Sequence, residues 1–152
     1  MIQTGTEVPD FTLRREDGSA FTPADLEGRR TVLVFYPYAF SPVCTDQLQL
    51  YEEVREELAA QGATLVAVSC DATYSQAAFR RSLGVSIEQL SDFEPKGATC
   101  RAFGVYHDAG MPERALVLVG PDRVVEWSWI GEHPGVLPGA NLIFDALAAR
   151  PA

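Results

Sequence analysis

The amino-acid sequence predicts an α/β fold, in which helices cover both faces of a mixed β-sheet behind an N-terminal β-hairpin. Three observations support this prediction. Two apolar, β-branched segments are each followed by helical spacing, an apolar hairpin comes after them, and no repeat, linker or low-complexity run interrupts the 152 residues. Such a length suits one domain with one substantial core. We therefore expect residues 1–152 to form a single domain.

The first strands are recognised from the pattern of their apolar residues. Residues 11–22 alternate around an Asp17-Gly18 turn, as a β-hairpin does. Residues 31–36 (TVLVFY) and 63–70 (ATLVAVSC) are apolar and rich in β-branched side chains. Continuous apolar runs of this length are typical of strands buried on both faces, so we predict two central, parallel strands.

Helical spacing follows each of these two strands. After residue 41, Leu48, Tyr51, Val54 and Leu58 share one stripe, and Gly62 is a stop signal. The remaining predicted elements are a helix at 73–84, a short segment at 86–92, a short helix near 97–104, strands at 115–120 and 123–131 joined by a Pro-Asp turn, and a helix at 139–150. The order behind the hairpin is β-α-β-α-β-β-α, which is the thioredoxin-like arrangement.

Composition excludes several classes of partner. The net charge of -9 disfavours nucleic acid and anionic membranes, and no apolar run is long enough to span a membrane. The N-terminal sequence has no export signal, and three widely spaced cysteines suit free thiols, so we expect a cytoplasmic protein. His107 and His133 lack a metal-binding spacing, and no phosphate loop or dinucleotide fingerprint is present. We expect no bound metal or cofactor.

The predicted topology indicates which edge of the sheet carries the functional site. Strands 31–36 and 63–70 end at the same edge, where the antiparallel strand at 115–120 begins. Open α/β sheets usually bind ligands at such an edge. We therefore expect Cys44 and Arg114 to lie there, and Cys70 to lie toward it.

Cys44 occupies the first turn of a predicted helix. Ser41 suits the N-cap and Pro42 the first helical position, so Cys44 is the third residue of the helix. The positive end of the helix dipole and the unpaired N–H groups favour a thiolate at this position. The alternative is an inert cysteine that packs in the core.

Arg114 and Ser41 indicate what kind of reactive cysteine Cys44 is. Arg114 is a lone cation immediately before an apolar strand that should lie beside strand 31–36, so its charge would further favour the thiolate. The alternative is a surface arginine paired with Glu113 or a nearby acid. Ser41 stands where a C-x-x-C disulfide oxidoreductase has its first cysteine, and a hydroxyl cannot close a disulfide.

The segment PYAFSPVC is similar to the P-x-x-x-T/S-x-x-C signature of the peroxiredoxins, matched here by Pro37, Ser41 and Cys44. The resemblance also covers VPDFTL, VLVFYP, VAVSCD, LSDFEPKG and AFGVY, and it places the family's active-site arginine on Arg114. The subgroup that the chain most resembles is the one-cysteine alkyl hydroperoxide reductase E type, in which Gln47 stands at a position often occupied by Glu or Gln.

This resemblance implies a thiol-dependent peroxidase that reduces hydrogen peroxide or organic hydroperoxides. Cys44 would attack the peroxide and become a sulfenic acid. Arg114, Ser41 and backbone N–H groups would hold the peroxide oxygens. Pro37 would shape the loop and shield the sulfur, although it is also a simple strand terminator. Gln47 would orient Arg114 or the loop, or else lie in solvent as an ordinary helix residue.

The positions of the other cysteines indicate which thiol reduces oxidised Cys44. The position five residues after Cys44, used for resolution in one subgroup, is Gln49, and no cysteine follows Cys100. We therefore expect a one-cysteine cycle with an external thiol: a thioredoxin-like or glutaredoxin-like protein, or a low-molecular-weight thiol. The alternatives are resolution by Cys70 or Cys100, or a thioredoxin-like redox or binding module without peroxidase activity.

Several aromatic residues suggest a homodimer. Tyr38 and Phe40 flank the Cys44 loop, Phe93 precedes a turn, and Trp127 and Trp129 share one face of a strand. Exposed aromatics are enriched at interfaces, and peroxiredoxins that resemble this chain commonly pair through the loops beside the cysteine. The alternative is that these side chains belong to the core.

Overall fold

A computed structural model describes residues 1–149; Arg150, the last residue of the predicted final helix, lies outside the described residues with the two that follow it. The strands are β1 (Leu13–Arg14), β2 (Ala20–Phe21), β3 (Arg30–Phe35), β4 (Ala63–Ser69), β5 (Glu88–Ser91), β6 (Tyr106–His107), β7 (Met111–Pro112), β8 (Ala115–Val119) and β9 (Val125–Ile130). The helices are α1 (Pro42–Glu53), α2 (Arg55–Ala60), α3 (Thr73–Leu83), α4 (Ala98–Ala102) and α5 (Asn141–Ala149). None of them combines the length and apolar character that crossing a bilayer requires.

Seven of these strands form one mixed sheet in the order β2-β1-β5-β4-β3-β8-β9. β3 and β5 both pair with β4 in parallel, whereas β8 pairs antiparallel with β3 and with β9. The mixed sheet, the N-terminal hairpin of β1 and β2, and the later hairpin of β8 and β9 are therefore confirmed. β6 and β7 form a separate two-stranded ribbon that the sequence pattern did not predict.

Two elements differ in detail from the prediction. The segment 86–92, whose structure the pattern did not define, contains β5. The long helix predicted to run to Gly62 is divided at Val54 into α1 and α2. The backbone N–H of Val54 bonds to the carbonyl of Tyr51, three residues back, at 3.2 Å. This tighter bond ends α1 before α2 begins.

The two faces of the sheet pack against different helices. Along β3, Val32 and Val34 point to one face and Leu33 and Phe35 to the other, following the two-residue period of a strand. The first face packs against α1, α2, α3 and α5, and we call it the α1 face. The second, which includes side chains of the N-terminal hairpin, packs against α4, and we call it the α4 face. Helices thus cover both faces, as predicted.

The central strands bring three segments of the chain to one edge of the sheet. Phe35, at the end of β3, is the register partner of Val68 near the end of β4 and of Ala115 at the start of β8. All five residues of β8, and all of β3 after Arg30, are buried. Each such apolar side chain contributes about 1.5–3 kcal/mol through burial. This buried frame fixes the loops that leave it.

Candidate active site

Cys44 lies in the first turn of α1, as the sequence predicted. α1 begins at Pro42, and Ser41 precedes it in an extended conformation with φ -71° and ψ 150°. The carbonyl of Ser41 accepts the first helical bond, from the N–H of Thr45 at 3.0 Å. The Ser41 hydroxyl does not cap the helix; it donates to the carbonyl of Tyr38 at 2.8 Å. Ser41 is therefore an N-cap by position, while its hydroxyl stabilises the preceding loop.

The loop at residues 36–41 is held from the end of β4. The backbone N–H of Ala39 donates to Asp71 Oδ2 at 2.9 Å, and the same oxygen accepts from the Ser69 hydroxyl at 2.8 Å. Phe40 adopts a left-handed conformation with φ 70°, which is uncommon outside glycine. Asp71 was missed as a site residue in the sequence analysis. A polar residue directly after a buried strand, at the functional edge, was the available signal.

The thiol of Cys44 meets the guanidinium of Arg114. Arg114 Nη2 donates to Cys44 Sγ at 3.1 Å, and both residues are almost completely buried. Arg114 also donates from Nη1 to Gln47 Oε1 and from Nε to the carbonyl of Pro134, both at 2.6 Å. Its partners are two neutral oxygens and the sulfur. The alternative of a surface arginine paired with Glu113 is therefore wrong, and the fixed positive charge is directed at the sulfur.

Strand periodicity explains why Arg114 reaches Cys44. Leu116 and Leu118 of β8 point to the α1 face, and Arg114 lies two residues before Leu116. A two-residue period therefore sends the Arg114 side chain to the same face as α1. The antiparallel pairing of β8 with β3 then brings it beside the Cys44 loop. The contact between Arg114 and Cys44 therefore depends on how distant strands pair, whereas the sequence pattern predicted each strand separately.

Gln47 connects the arginine to the body of α1. It lies one turn after Cys44 and is fully buried, so the alternative of a solvated helix residue is wrong. Its amide nitrogen donates to the Tyr51 hydroxyl at 3.4 Å, and that hydroxyl donates to the carbonyl of Pro138 at 2.8 Å. Burial raises the pKa of Tyr51 to about 12, so the hydroxyl remains a donor at neutral pH. The predicted role of Gln47 in orienting Arg114 is consistent with this chain of bonds.

A cavity of about 230 Å³ opens onto the guanidinium of Arg114. Its lining brings together three of the predicted site residues, Pro37, Ser41 and Arg114. The other lining residues are mainly apolar and include Tyr38, Val43, Met111 and Pro134. The cavity can hold a small oxygen compound beside Arg114, whose guanidinium contacts the fully buried sulfur of Cys44.

Cys70 and Cys100 lie on the opposite face of the sheet from Cys44. Val66, Val68 and Cys70 alternate toward the α4 face, where Cys100 of α4 also packs, whereas Cys44 packs on the α1 face. The strand end of Cys70 reaches the predicted edge, but its side chain does not point toward Cys44. The structure therefore brings Cys70 together with Cys100. The period-two pattern of β4 was the signal that could have shown this.

Neither histidine contributes to a cluster of metal ligands. In His107 and His133 the Nδ1 atom accepts a bond from a backbone N–H two residues later. Within residues 1–149, the group of side chains with donor atoms close enough for one ion is Cys70, Asp92 and Cys100. That cluster was not predicted, and it is separate from the Cys44 site.

The aromatic residues divide between surface and core. Tyr38 is 48% exposed, Phe40 57% and Phe93 53%. Trp127 and Trp129 are half-buried and pack against the core of the α1 face. Exposure beside the cavity is therefore confined to Tyr38 and Phe40 among these five residues.

The fold and site define a class of protein, thiol peroxidases built on a thioredoxin-like sheet, and comparisons with known proteins agree. Residues 4–128 match the AhpC/TSA family. The chain is 30% identical to alkyl hydroperoxide reductase E of Mycobacterium bovis, over 100% of both chains. The solved structure of AhpC from Enterococcus faecalis is similar, with a TM-score of 0.87 and 26% identity over 98% of this chain and 92% of that one. The structure of peroxidoxin BcpB from Mycobacterium tuberculosis is also similar, with a TM-score of 0.86 and 28% identity over 100% of both chains.

The chain belongs to the AhpC/TSA family of peroxiredoxins. It is therefore a thiol-dependent peroxidase, an oxidoreductase whose substrate is a hydroperoxide and whose reductant is a thiol.

Proposed function

We propose that this chain reduces hydrogen peroxide and organic hydroperoxides by a one-cysteine cycle, with Cys44 as the nucleophile and an external thiol as reductant. The observation that carries the proposal is the 3.1 Å contact between Arg114 Nη2 and the buried Cys44 Sγ, beside a small cavity that Arg114 lines. A thiolate, rather than a thiol, is the nucleophile, and the guanidinium places a fixed positive charge beside the sulfur.

The first step is attack of the Cys44 thiolate on one peroxide oxygen. A sulfur–oxygen bond forms as the oxygen–oxygen bond breaks, which leaves a sulfenic acid and, after proton uptake, water or an alcohol. The Ser41 hydroxyl lines the cavity and donates to Tyr38, so its lone pairs can accept a hydrogen bond from the incoming peroxide. Pro37 offers no polar group and shapes the apolar side of the cavity.

Arg114 stabilises the transition state of this step. Negative charge moves from sulfur to the leaving oxygen, and donors aimed at that oxygen in advance stabilise the transition state more than the ground state. Gln47 and the carbonyl of Pro134 hold the guanidinium through two of its nitrogens, which leaves Nη2 directed at the sulfur. We infer that Gln47 is a positioning residue, because it acts through Arg114.

The placement of the other thiols supports reduction by an external thiol. Cys70 and Cys100 pack on the α4 face, and Gln49 is an exposed helix residue without a thiol. A disulfide requires two Cβ atoms about 4 Å apart, so a Cys44 disulfide with either cysteine would need the sheet itself to rearrange. The reductant is a thioredoxin-like or glutaredoxin-like protein, or a low-molecular-weight thiol, which reacts with the sulfenic acid and then exchanges.

The proposal is tested by treating the protein with one equivalent of hydrogen peroxide and mapping tryptic peptides by mass. Trypsin should release Cys44 in residues 31–55, Cys70 in 56–80 and Cys100 in 97–101. Oxidation should appear at Cys44, which should then react with added thiol. A Cys44 that stays reduced would favour a thioredoxin-like binding module, and a link between 31–55 and either other peptide would indicate a two-cysteine cycle. Stopped-flow oxidation with a panel of peroxides would rank the substrates.

We further propose a homodimer in the cytoplasm. Tyr38 and Phe40 expose aromatic surface beside the cavity, and such residues are enriched at interfaces. All three cysteines are free thiols, which suits a reducing compartment. Sedimentation at micromolar concentration should give a dimer that a charged substitution, Phe40→Glu, dissociates. A monomer in the unmodified protein would refute the dimer, and recovery of the protein from a secreted fraction would refute the compartment.

A further inference from the structure

A second group of reactive side chains lies on the α4 face, away from Cys44. The sulfur atoms of Cys70 and Cys100 and a carboxylate oxygen of Asp92 all lie within 4.8 Å of one another. Cys70 directly follows β4, Asp92 directly follows β5, and Cys100 lies in α4. Three separate elements therefore converge on one buried point.

Asp92 holds Cys100 in place. Its Oδ1 accepts from the backbone N–H of Thr99 at 3.1 Å, and its Oδ2 from the N–H of Cys100 at 2.8 Å. These are unpaired donors of the first turn of α4, so both carboxylate oxygens have a structural function. The bonds fix the Cys100 backbone beside Cys70. Bonds from the α4 backbone to the Asp92 carboxylate thus place the Cys100 thiol near Cys70.

The two thiols differ in acidity and in access. Hydrogen bonding with the Cys100 thiol lowers the pKa of Cys70, and the Lys96 ammonium acts in the same direction. The same contact, together with burial, raises the pKa of Cys100. Cys70 retains 8% of its surface in contact with solvent, whereas Cys100 retains 0%. One member is therefore the nucleophile, and the other stays a protonated thiol beside it.

We propose that Cys70 and Cys100 form a second redox centre, independent of Cys44, which hydrogen peroxide converts to an intramolecular disulfide. The Cys70 thiolate attacks one peroxide oxygen; the oxygen–oxygen bond breaks, and the leaving hydroxide takes a proton to become water. The resulting Cys70 sulfenic acid condenses with the Cys100 thiol, which forms the S–S bond and releases a second water. Peroxide is reduced by two electrons, and the two thiols supply them.

The geometry sets how fast this centre reacts relative to Cys44. A disulfide requires the sulfurs to approach to about 2.05 Å, so side chains that lie within 4.8 Å must still turn toward each other. The carboxylates of Asp92 and Asp71 oppose the ionisation of Cys70, whereas a guanidinium contacts the sulfur of Cys44. Cys70 and Cys100 should therefore be oxidised only after Cys44, when peroxide is in excess. Their disulfide would then mark exposure of the protein to a high peroxide concentration.

The test uses the Cys44→Ser variant, in which the peroxidatic thiol cannot contribute. Excess hydrogen peroxide should lower the intact mass by about two units, and tryptic mapping should show residues 56–80 linked to 97–101. Matched controls are Cys100→Ala, which should stop at a Cys70 sulfenic acid trapped by a dimedone-type reagent, and Cys70→Ala, which should leave Cys100 unoxidised.

The same peptide map of the unmodified protein tests the second redox centre separately from the Cys44 cycle. This experiment needs no substitution, so a folding defect cannot affect its result. Oxidation confined to residues 31–55 at every peroxide concentration would overturn the proposal of a second centre while supporting the Cys44 cycle. Further oxidation of Cys70 without a link to Cys100 would also overturn it. A zinc titration provides the last outcome: one tightly held zinc per chain that blocks oxidation would make the cluster a metal site instead.

Discussion

Two buried cysteine sites lie on opposite faces of the same sheet, and they differ in what faces the sulfur. Cys44 meets the guanidinium of Arg114 at 3.1 Å, next to a cavity of about 230 Å³. Cys70 meets another thiol and a carboxylate. Burial is common to both sites, so burial does not distinguish them. The guanidinium in contact with the sulfur distinguishes the first site.

The helix ends at the two sites differ in the same way. Cys44 lies in the first turn of a twelve-residue helix whose N-cap hydroxyl turns back to the loop, so no side-chain oxygen caps its N–H groups. α4 has five residues, and Asp92 occupies the N–H groups of its first turn. The positive end of one helix is therefore available to a thiolate or a substrate oxygen, and that of the other is neutralised.

The largest effect should come from removing the Cys44 sulfur. Cys44→Ser should abolish turnover at the Cys44 site and leave the fold intact, because a serine hydroxyl is not nucleophilic enough at neutral pH. Only the slow reaction of Cys70 and Cys100 with excess peroxide should remain. Cys70→Ala and Cys100→Ala are the matched controls and should keep turnover near that of the unmodified protein. Peroxide consumption coupled to thiol oxidation measures this. Substantial turnover in Cys44→Ser would move the peroxidase activity away from the α1 face.

Arg114→Ala should lower the second-order rate of Cys44 oxidation by about 100- to 1000-fold, the loss typical for a donor aimed at developing charge. Stopped-flow oxidation at one fixed pH measures this rate. An unchanged rate would show that Arg114 does not stabilise the transition state.

Gln47→Ala should slow the oxidation by about tenfold, because the guanidinium loses one of the contacts that orient it and a misplaced group costs rate. Gln49→Ala, on the exposed side of the same helix, is the control and should have no effect. A purely structural role would lower stability without slowing the oxidation. Gln47→Glu keeps an acceptor for Arg114, so a rate well above that of Gln47→Ala supports the positioning role.

The smallest expected effect is a change in the acidity of the Cys70 thiol on the α4 face. In Cys44→Ser, iodoacetamide should modify Cys70 at lower pH than an ordinary thiol, because contact with Cys100 lowers the pKa of Cys70. Cys100→Ala removes that contact and should shift the modification of Cys70 to higher pH. Mass spectrometry of residues 56–80 follows the reaction. Equal pH dependence in the two proteins would mean that the thiols titrate independently.

Local signals in the sequence determined the frame of the molecule and the position of its nucleophile. Apolar, β-branched runs defined β3 and β4, and the Ser41-Pro42 pair placed Cys44 in the first turn of α1. Such signals are reliable because strand burial and helix initiation depend on neighbouring residues. The three residues of the family signature and Arg114 could therefore be named before their contacts were known.

Only the tertiary structure decided what each side chain contacts. Gln47 was ambiguous between solvent and Arg114 until the packing of β8 beside β3 buried it. Cys70 was expected toward the same edge as Cys44, but the pleat of β4 turns it to the α4 face. Asp92 and Cys100 meet it there through contacts that span tens of residues along the chain. Helical and strand periods define faces, whereas the partner on each face depends on how distant elements pack together.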